Sequence, residues 1–305
     1  MLASMTLSVL MIGNSFSICV GKNLPQMVAT VPECRLTLGS LYIGGCPLER
    51  HVMNLREDEA AAPGKAKYPY KFTVWESGVK KPVREGKGNL LQGLTHKKWD
   101  IVTIQQASPR SWEPESYQPW AEELIAAIRK YAPQAEIVIQ QTWAYRANDP
   151  RITSLGEPTW GFHQDEMHTR IVGAYRALAE KYGFRVIPTG DAVRLTRMND
   201  ARKFQESSAE AIAALRWPDL PPQASDPVGR FFWRKEEDGS LQIRADNIHL
   251  NERGEYLQAA VWFESLFGRP ATALAYDSPT VSKEDCAFLR QMAHRAVQEY
   301  QQVKR

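Results

Sequence analysis

The sequence of 305 residues contains little cysteine and almost no excess of either charge. Its 38 Lys and Arg against 35 Asp and Glu give a net charge of +3, without a dense basic stripe. Nucleic-acid binding depends on clustered positive charge, so no nucleic-acid partner is expected. The four cysteines are Cys19, Cys34, Cys46 and Cys286. They form no CxxC pair and no zinc-ligand spacing, so each is predicted to be a small buried side chain. A disulfide among Cys19, Cys34 and Cys46 stays open.

Long apolar runs are absent as well. No segment reaches the roughly 18 apolar residues that a membrane-spanning helix needs, so no membrane insertion is expected. The opening MLASMTLSVLMIG lacks the basic start and the small-residue cleavage site of a signal peptide, and it runs directly into a polar turn. It therefore predicts a first β-strand. A native export signal trimmed from this chain stays open as an alternative, and with it a periplasmic or secreted location.

Short Val- and Ile-rich runs alternate with longer segments of helical period, which predicts a parallel sheet covered by helices on both faces. The runs WDIVTIQ and EIVIQQTW are apolar almost throughout, as is typical of strands buried on both sides. We predict strands at 7–12, 35–41, 71–75, 101–105, 136–142 and 184–188, and helices at 120–131, 167–182, 252–267 and 283–301. The predicted fold class is α/β, a three-layer α/β/α sandwich with a mostly parallel, flavodoxin-like sheet.

No repeat or low-complexity linker divides the chain, so residues 1–305 are predicted to form a single domain. The segment at about 199–243 contains WPDLPPQASDPVGRFFWRKEEDGS, which mixes prolines, aromatics and both charges. We predict an irregular, cap-like insertion there, because long loops inside compact domains usually serve function.

Polar residues stand at the ends of several predicted strands, where open α/β sheets place their sites. The first strand ends in Gly13-Asn14-Ser15, and Gly44 and Gly45 follow the second. The strand WDIVTI ends in Gln105 and Gln106. Such clustering exceeds what turns require and favours a site at this edge of the sheet.

A serine nucleophile needs a base, and the base needs an orienting acid. Among the six histidines, His249 follows Asp246 by three residues in DNIH, just before a helix start that Asn251 is expected to cap. An aspartate at that spacing can fold back onto Nδ1 of the imidazole and leave Nε2 free to accept a proton. A polar turn before the helix is the alternative reading of DNIH alone.

The combination and order of these segments resemble the SGNH (GDSL-like) hydrolase superfamily, and more narrowly a branch catalogued only as a domain of unknown function. The segments that carry the resemblance are MIGNSFS, IGGCPLERH, WDIVTIQQAS, VIPTGDAV and DNIHLNERGEYL. The resemblance implies a serine esterase that forms a covalent acyl-enzyme and requires no cofactor or metal. It also implies a carbohydrate ester as substrate, either an O-acetyl group of a polysaccharide or a methyl ester of a uronic acid.

The resemblance implies a role for each matching residue. Ser15 corresponds to the nucleophile, whose N–H also binds the oxyanion; His249 corresponds to the base and Asp246 to its orienting acid. Gly45, or its neighbour Gly44, corresponds to the second oxyanion donor. The superfamily usually adds an Asn from a G-x-N-D block, which is missing here. We assign that donor to one of two amide side chains that end the WDIVTI strand, Gln105 or Gln106.

Further residues are candidates for binding the substrate or for shaping the nucleophile turn. Arg50, Arg230 and Arg234 could hold carboxylates of a uronic acid. Trp143 could stack on a sugar or belong to the core, and Ser17 is predicted to cap the helix that follows Ser15. The histidines of HQDEMH are spaced i, i+5, which does not place them on one helical face, so no metal site is predicted. A non-catalytic carbohydrate-binding protein on the same fold is the rival interpretation.

Overall fold

A seven-stranded sheet forms the centre of the computed structural model, which describes residues 4–154, 156–222 and 226–303. The strand order is β4-β3-β2-β1-β5-β6-β7, and a separate two-stranded hairpin consists of β8 and β9. The five strands from β2 to β7 in this order run parallel, whereas β3 runs antiparallel to both of its neighbours, β2 and β4. The strands are β1 (Met5–Gly13), β2 (Cys34–Tyr42), β3 (Tyr70–Glu76), β4 (Arg84–Gly88), β5 (Ile101–Ile104), β6 (Glu136–Gln140), β7 (Arg185–Ile187), β8 (Val228–Lys235) and β9 (Leu241–Leu250).

Helices cover both faces of this sheet. The helices α2, α7, α9 and α10 contact one another in one layer, and α3, α4 and α5 contact one another in the other. The helices are α1 (Ser15–Ile18), α2 (Val20–Ala29), α3 (Leu48–Ala60), α4 (Leu90–Thr95), α5 (Trp120–Tyr131), α6 (Gln164–Tyr182), α7 (Thr189–Arg197), α8 (Ala209–Ala214), α9 (Glu252–Phe267) and α10 (Lys283–Val303). The predicted three-layer α/β/α fold with a mostly parallel sheet is confirmed. No helix in the described ranges combines the length and the apolar character needed to cross a bilayer.

Burial on both faces explains why the central strands are nearly continuous apolar runs. In β1, residues 8–13 are all buried, and β5 is buried along its whole length. The opening apolar segment is thus the first strand, as predicted. The four cysteines are free thiols with buried side chains, as their spacing indicated.

The strand order reverses at β1, and this reversal defines the position of the site. The chain leaves β1 for its neighbour β2 and later returns to β5 on the other side of β1. Because right-handed crossovers to opposite sides place their helices on opposite faces, a crevice opens at the carboxyl end of the strand where the order reverses. Ser15 follows β1 and therefore stands at this crevice.

Two features of the fold differ from the sequence prediction. The edge strand β4 has the sequence REGKG, which is polar and carries none of the alternation that identifies a strand. The segment predicted to be irregular contains the helix α8 and the whole of β8, and β9 extends beyond it to Leu250. The prolines and mixed charges of this segment obscured a regular hairpin, which carries part of the candidate site.

The base of the hairpin is anchored to the sandwich by buried polar contacts. Arg197 on α7 pairs with Asp226 through Nε at 2.9 Å and Nη2 at 3.1 Å, and both side chains are buried. Asn251, which caps α9 as predicted, donates from Nδ2 to the carbonyl oxygens of Asp226 and Gly229 at 2.7 and 2.9 Å. Bidentate pairs of this kind fix geometry as well as charge, so the hairpin approaches the sheet in a defined orientation.

Candidate active site

The turn between β1 and α1 holds Ser15 at the edge of the sheet. Asn14 is the N-cap residue, and its Oδ1 accepts from the N–H of Phe16 at 3.0 Å. Ser17 donates instead to the carbonyl of Asn14 at 3.1 Å, so the prediction that Ser17 caps this helix is wrong. A Cβ atom at Gly13 would lie 2.3 Å from Ser17 Oγ, so a larger residue there would displace the Ser17 hydroxyl from its contact with Asn14.

Ser15, His249 and Asp246 form one chain of hydrogen bonds. His249 Nδ1 lies 2.9 Å from Asp246 Oδ2, and His249 Nε2 lies 2.8 Å from Ser15 Oγ. A carboxylate only accepts hydrogen bonds, so Nδ1 carries the hydrogen and Nε2 is left to accept from the serine hydroxyl. The His249 side chain is 39% exposed and Ser15 is half-buried, so a substrate can reach both. This is the geometry in which a histidine can take a proton from a serine.

The Asp246 carboxylate is kept ionised by its neighbours. Burial raises its pKa, but hydrogen bonds from the His249 side chain and from the N–H groups of Ile248 and His249 outweigh that effect, and the net pKa is lowered. The two N–H groups reach Oδ1 at 3.0 and 3.1 Å. A charged carboxylate beside Nδ1 fixes the tautomer of His249 and stabilises the imidazolium that would form on proton transfer.

Gly44 and Gly45 lie in an exposed turn directly after β2. Gly45 has a φ of +62°, a left-handed conformation that favours glycine. The next residue is tied to the nucleophile turn, because Asn14 Nδ2 donates to the carbonyl of Cys46 at 3.1 Å. Asn14 thereby holds the glycine turn against the turn that carries Ser15.

Of the two glutamines after β5, only Gln105 contacts the nucleophile turn. Its Nε2 donates to Asn14 Oδ1 at 2.7 Å, and its side chain is buried. The Nε2 of Gln106 donates to the carbonyl and the hydroxyl of Ser116 at 2.8 and 3.0 Å, while its Oε1 accepts from the N–H of Leu48. The side chain of Gln106 therefore supports the loops behind the site, and the geometry does not favour Gln106 as an oxyanion donor.

Trp143 packs beneath the site rather than beside a substrate. Its side chain has no exposed surface, its ring stacks on Phe16 at 4.1 Å between centroids, and its Nε1 donates to the carbonyl of Ile248 at 2.9 Å. The prediction that Trp143 binds substrate is therefore wrong for this structure. Its contacts instead join the nucleophile turn to the strand that carries His249.

The three candidate arginines are all exposed but differ in position. Arg230 on β8 is the cross-strand partner of Asp246 on β9, which places it next to the orienting acid. Arg50 lies in the first turn of α3, just after the glycine turn. Arg234 pairs with Gln242, four residues from Arg230 along β8, or about 13 Å at the usual rise of a strand. Arg230 is thus beside Asp246, Arg50 follows the glycine turn in the chain, and Arg234 lies toward the tip of the hairpin.

Arg146 is a buried residue of the site that sequence reasoning missed. Its N–H donates to the carbonyl of Asn247 at 2.8 Å, and its Nη2 donates to Asn247 Oδ1 at 2.7 Å. The guanidinium also lies 4.2 and 4.8 Å from the ring centroids of Phe204 and Phe231. It thus fixes the strand two residues before His249. A single arginine in a loop carries no spacing signal, so the sequence could not indicate this role.

Metal ligation finds no support in the residues that the structure describes, which contain no group of three or more His, Cys, Asp or Glu side chains placed to hold an ion. The two histidines of HQDEMH point to different partners. Nδ1 of His163 lies 2.9 Å from the carbonyl of Thr153, whereas Nε2 of His168 lies 3.3 Å from Asp191 Oδ1.

Together, the sheet and the site define an α/β/α sandwich with a serine, a histidine and an aspartate hydrogen-bonded in series at the carboxyl end of its central strand. The chain belongs to the family described as Domain of unknown function (DUF4886), whose model matches residues 8–208. This confirms the prediction of a branch catalogued as a domain of unknown function. The match includes Ser15 and ends before the strand that carries Asp246 and His249.

Among solved structures, the chain is similar to a DUF4886 family protein from Bacteroides uniformis ATCC 8492, with 27% identity over 96% of this chain and 95% of that one, and a TM-score of 0.73. A protein from Slackia heliotrinireducens, described as an SGNH hydrolase, matches at 18% identity, with a TM-score of 0.47, over 86% of this chain and 100% of that one. A GDSL-like lipase structure from Parabacteroides merdae ATCC 43184 matches at 13% identity, with a TM-score of 0.46, over 88% and 99%. Similarity at the level of the last two carries no argument about function. A comparison with curated proteins gave no significant match.

Proposed function

We propose that the protein is a serine hydrolase of ester bonds and that the ester is carried by a carbohydrate. The observation that carries this proposal is the hydrogen-bonded series from Ser15 Oγ through His249 to Asp246, with contacts of 2.8 and 2.9 Å. A serine hydroxyl is a weak nucleophile unless a positioned base accepts its proton. The base here is itself oriented by a carboxylate, as in the serine–histidine–aspartate triads that carry out acyl transfer.

In the first half of the reaction, Ser15 Oγ attacks the ester carbonyl carbon while His249 Nε2 accepts the hydroxyl proton. The carbonyl π electrons move onto oxygen, which gives a tetrahedral oxyanion. As this oxyanion collapses, the bond to the leaving alkoxide breaks and His249 returns the proton to it. The products are an alcohol and an acyl group bonded to Ser15.

In the second half, a water molecule takes the place of the alcohol. His249 accepts a proton from the water as its oxygen attacks the acyl carbon, and a second oxyanion forms. Its collapse breaks the bond to Ser15 Oγ, which recovers the proton from His249. A carboxylic acid leaves, and Asp246 compensates the charge of the imidazolium in both halves.

The oxyanion donors in this proposal are the backbone N–H of Ser15 and that of Gly45, with Gly44 as the alternative. Ser15 is the first residue of a helix, where N–H groups have no partner within the helix. A preorganised donor of this kind is worth roughly 3–4 kcal/mol of transition-state stabilisation where one has been removed by mutation. Gln105 is assigned a supporting role, because its amide orients Asn14 between the two donor turns.

A carbohydrate ester is favoured by the superfamily that the motifs resemble, and the surroundings of the site are compatible with one. Arg50, just after the glycine turn, and Arg230, the cross-strand partner of Asp246, are both exposed, and guanidinium groups bind carboxylates in bidentate fashion. An O-acetyl ester of a polysaccharide is our first choice. A methyl ester of a uronic acid is the second, since its neighbouring carboxylates would be held by the same arginines.

A non-catalytic carbohydrate-binding protein is the second candidate. It is favoured by the absent Asn of the third block and by the amide of Gln105, which is used to hold Asn14.

The two candidates and the two ester types are separated by incubating the protein with acetylated and with methyl-esterified polysaccharides and measuring acetate and methanol. Release of acetate supports a deacetylase, and release of methanol supports a methylesterase. Binding of a polysaccharide without either product supports the non-catalytic protein.

A further inference from the structure

A cavity of about 410 Å³ lies between α6, α7 and the insertion, outside the residues that the proposed chemistry uses. Two sequence segments that the proposed chemistry does not use meet there, since HQDEMH supplies His168 and VIPTGDAV supplies Gly190. We call it the α6–α7 cavity. Among its lining residues are Ala147, Gln164, His168, Arg194, Lys203 and Phe204.

The His168 side of the cavity is fixed through Asp191 by Gln141, the residue that follows β6. His168 Nε2 lies 3.3 Å from Asp191 Oδ1, and both side chains are largely shielded. Asp191 is in turn fixed by Gln141, which donates from Nε2 to Asp191 Oδ2 at 3.1 Å and accepts from the N–H of Asp191 at 2.9 Å. The polar groups of this wall are therefore preorganised, which lowers the conformational entropy that the protein loses when a ligand binds.

Each basic side chain that lines the cavity lies beside an acid. The pairs are His168 with Asp191 at 3.3 Å, Arg194 with Asp165 at 4.0 Å, Arg197 with Asp226 at 2.9 Å and Lys203 with Asp200 at 2.7 Å. A cavity whose charges are compensated in this way offers little net attraction to an anion or a cation. It offers instead several hydrogen-bond donors and acceptors of fixed position.

The lining also combines these polar groups with apolar surface. Among the described residues, the Arg194 side chain has one ion-pair contact, with Asp165 at 4.0 Å, and a guanidinium group carries five N–H donors. Gln164 donates from Nε2 to the carbonyl of Tyr145 at 2.6 Å, which leaves its Oε1 as an acceptor. Ala147 and the ring of Phe204 add the apolar part. A sugar matches such a lining, because its hydroxyl groups can form hydrogen bonds while the C–H surface of its ring packs on apolar side chains.

The cavity shares a wall with the candidate active site. Phe204 lines the cavity, and the guanidinium of Arg146 lies 4.2 Å from the centroid of its ring. Arg146 is bonded on its other side to Asn247, two residues before His249. The cavity is therefore linked to the strand that carries His249 through Phe204, Arg146 and Asn247.

We propose that the α6–α7 cavity is a binding site for one or two uncharged sugar units, a subsite for the glycan whose ester is cleaved at Ser15. The volume lies within the range of about 300–1,000 Å³ that is usual for small-molecule sites. The subsite adds affinity for the glycan and takes no part in the chemistry. Its connection to catalysis rests on the proposed function, whereas the binding itself does not.

The test is to titrate the full chain with cellobiose, xylobiose and galactobiose and to measure binding by saturation-transfer NMR. Arg194→Met removes a donor, and Ala147→Leu fills part of the cavity. The matched control is Arg129→Met, at an exposed arginine of α5 far from the lining in sequence. We expect at least one disaccharide to bind. Arg194→Met should weaken its binding by about tenfold, the effect of losing one hydrogen bond to a charged group, and Ala147→Leu should weaken it by at least as much because its larger side chain occupies part of the space for the sugar. Arg129→Met and Ser15→Ala leave binding unchanged.

The proposal is overturned if none of the three disaccharides binds, or if Arg194→Met and Ala147→Leu bind like the wild type. Preferential binding of glucuronate or inorganic phosphate, run in parallel, also overturns it in favour of an anion site. Ser15→Ala lacks the proposed nucleophile but keeps the lining of the cavity, so sugar binding and ester hydrolysis can be tested independently. Sugar binding without esterase activity removes the proposed function only, and esterase activity without sugar binding removes the subsite only.

Discussion

His249 Nε2 lies 2.8 Å from Ser15 Oγ although 234 residues separate the two in the chain. The fold makes this contact from two independent constraints. Ser15 is fixed by a helix cap at the end of the central strand, and His249 is fixed at the end of a hairpin strand that buried contacts anchor to the sandwich. A pair placed by such separate elements is typical of a reactive site rather than of a local turn.

Replacement of Asp246 by asparagine tests the orienting acid. The side chain keeps its shape but can donate a hydrogen to Nδ1, which favours the wrong tautomer of His249. We expect kcat/KM for ester hydrolysis to fall by roughly 10³–10⁴ with the fold intact. Asp238→Asn, at the exposed tip of the hairpin, is the control and should be as active as the wild type. If Asp246→Asn were nearly as active as the wild type, Ser15 and His249 would act as a dyad and Asp246 would only stabilise the turn.

Replacement of Gly45 by alanine tests the glycine turn. A Cβ atom there meets nothing within 4 Å, so the φ of +62° is the source of strain. Gly268→Ala is the matched control, because it has a φ of +63°, equal space and a position at the end of α9. Both variants should lose about 1–2 kcal/mol of unfolding free energy. Only Gly45→Ala should also lose kcat, by about 10-fold to 100-fold, because its N–H is displaced. Equal kcat values in the two variants would contradict the expected displacement of the Gly45 N–H from an oxyanion.

The buried His51 predicts a loss of stability in mild acid. Burial, with a smaller contribution from the charge of Arg50, lowers its pKa to about 3. The unfolded chain binds a proton near pH 6.5 while the folded chain does not, so stability is complete above pH 6.5 and is lost as the pH falls below it. Between pH 7.5 and 5 the unfolding free energy should drop by about 2 kcal/mol on this account alone.

Urea unfolding of wild type and His51→Gln at the two pH values measures this contribution. The variant should show a pH-dependent drop smaller by about 2 kcal/mol, whatever its stability at pH 7.5. His163→Gln, at an exposed histidine, serves as the control and should retain the full drop. An identical drop in His51→Gln and wild type would show that His51 is protonated in the folded protein.

Two thiols near the site are predicted to be inert in the folded protein. Burial raises the pKa of Cys19 and of Cys46 to about 12, and both side chains are buried. The thiolate is the reactive form, so an aromatic disulfide reagent at pH 8 should not modify them and should leave ester hydrolysis unchanged. All four cysteines should react in urea. Rapid modification of folded protein at Cys46, located by mass spectrometry, would contradict this burial.

Much of the site could be predicted because its residues lie next to strong local signals. Ser15 stands where a buried apolar run meets Gly13 and Asn14, and Asp246 precedes His249 just before a capped helix. Periodicity also identified the parallel strands, since burial on both faces leaves a continuous apolar run in the sequence. Local patterns of this kind survive into the fold because neighbouring residues in the chain determine them.

The remaining parts depend on contacts between distant segments, which local patterns do not encode. The sequence left Trp143 between a sugar-stacking role and the core, and only the structure shows that its ring stacks on Phe16 and its indole donates to the carbonyl of Ile248. The role of Arg146 depends on Asn247, 101 residues away in the chain. The hairpin escaped prediction because its first strand, VGRFFWRK, places three consecutive aromatic residues between basic ones on a partly exposed surface, where strand preference depends on context.

The most direct test of the central claim is the hydrolysis of p-nitrophenyl acetate by the wild type and by Ser15→Ala, with circular dichroism to show that both are folded. If Ser15 is the nucleophile, the wild type turns over the ester, and the variant loses roughly 10⁴-fold or more in kcat, as removal of a triad member predicts. An acyl adduct at Ser15, detected by mass spectrometry after a rapid quench, should accompany turnover by the wild type. Equal rates in the two folded proteins would contradict the account.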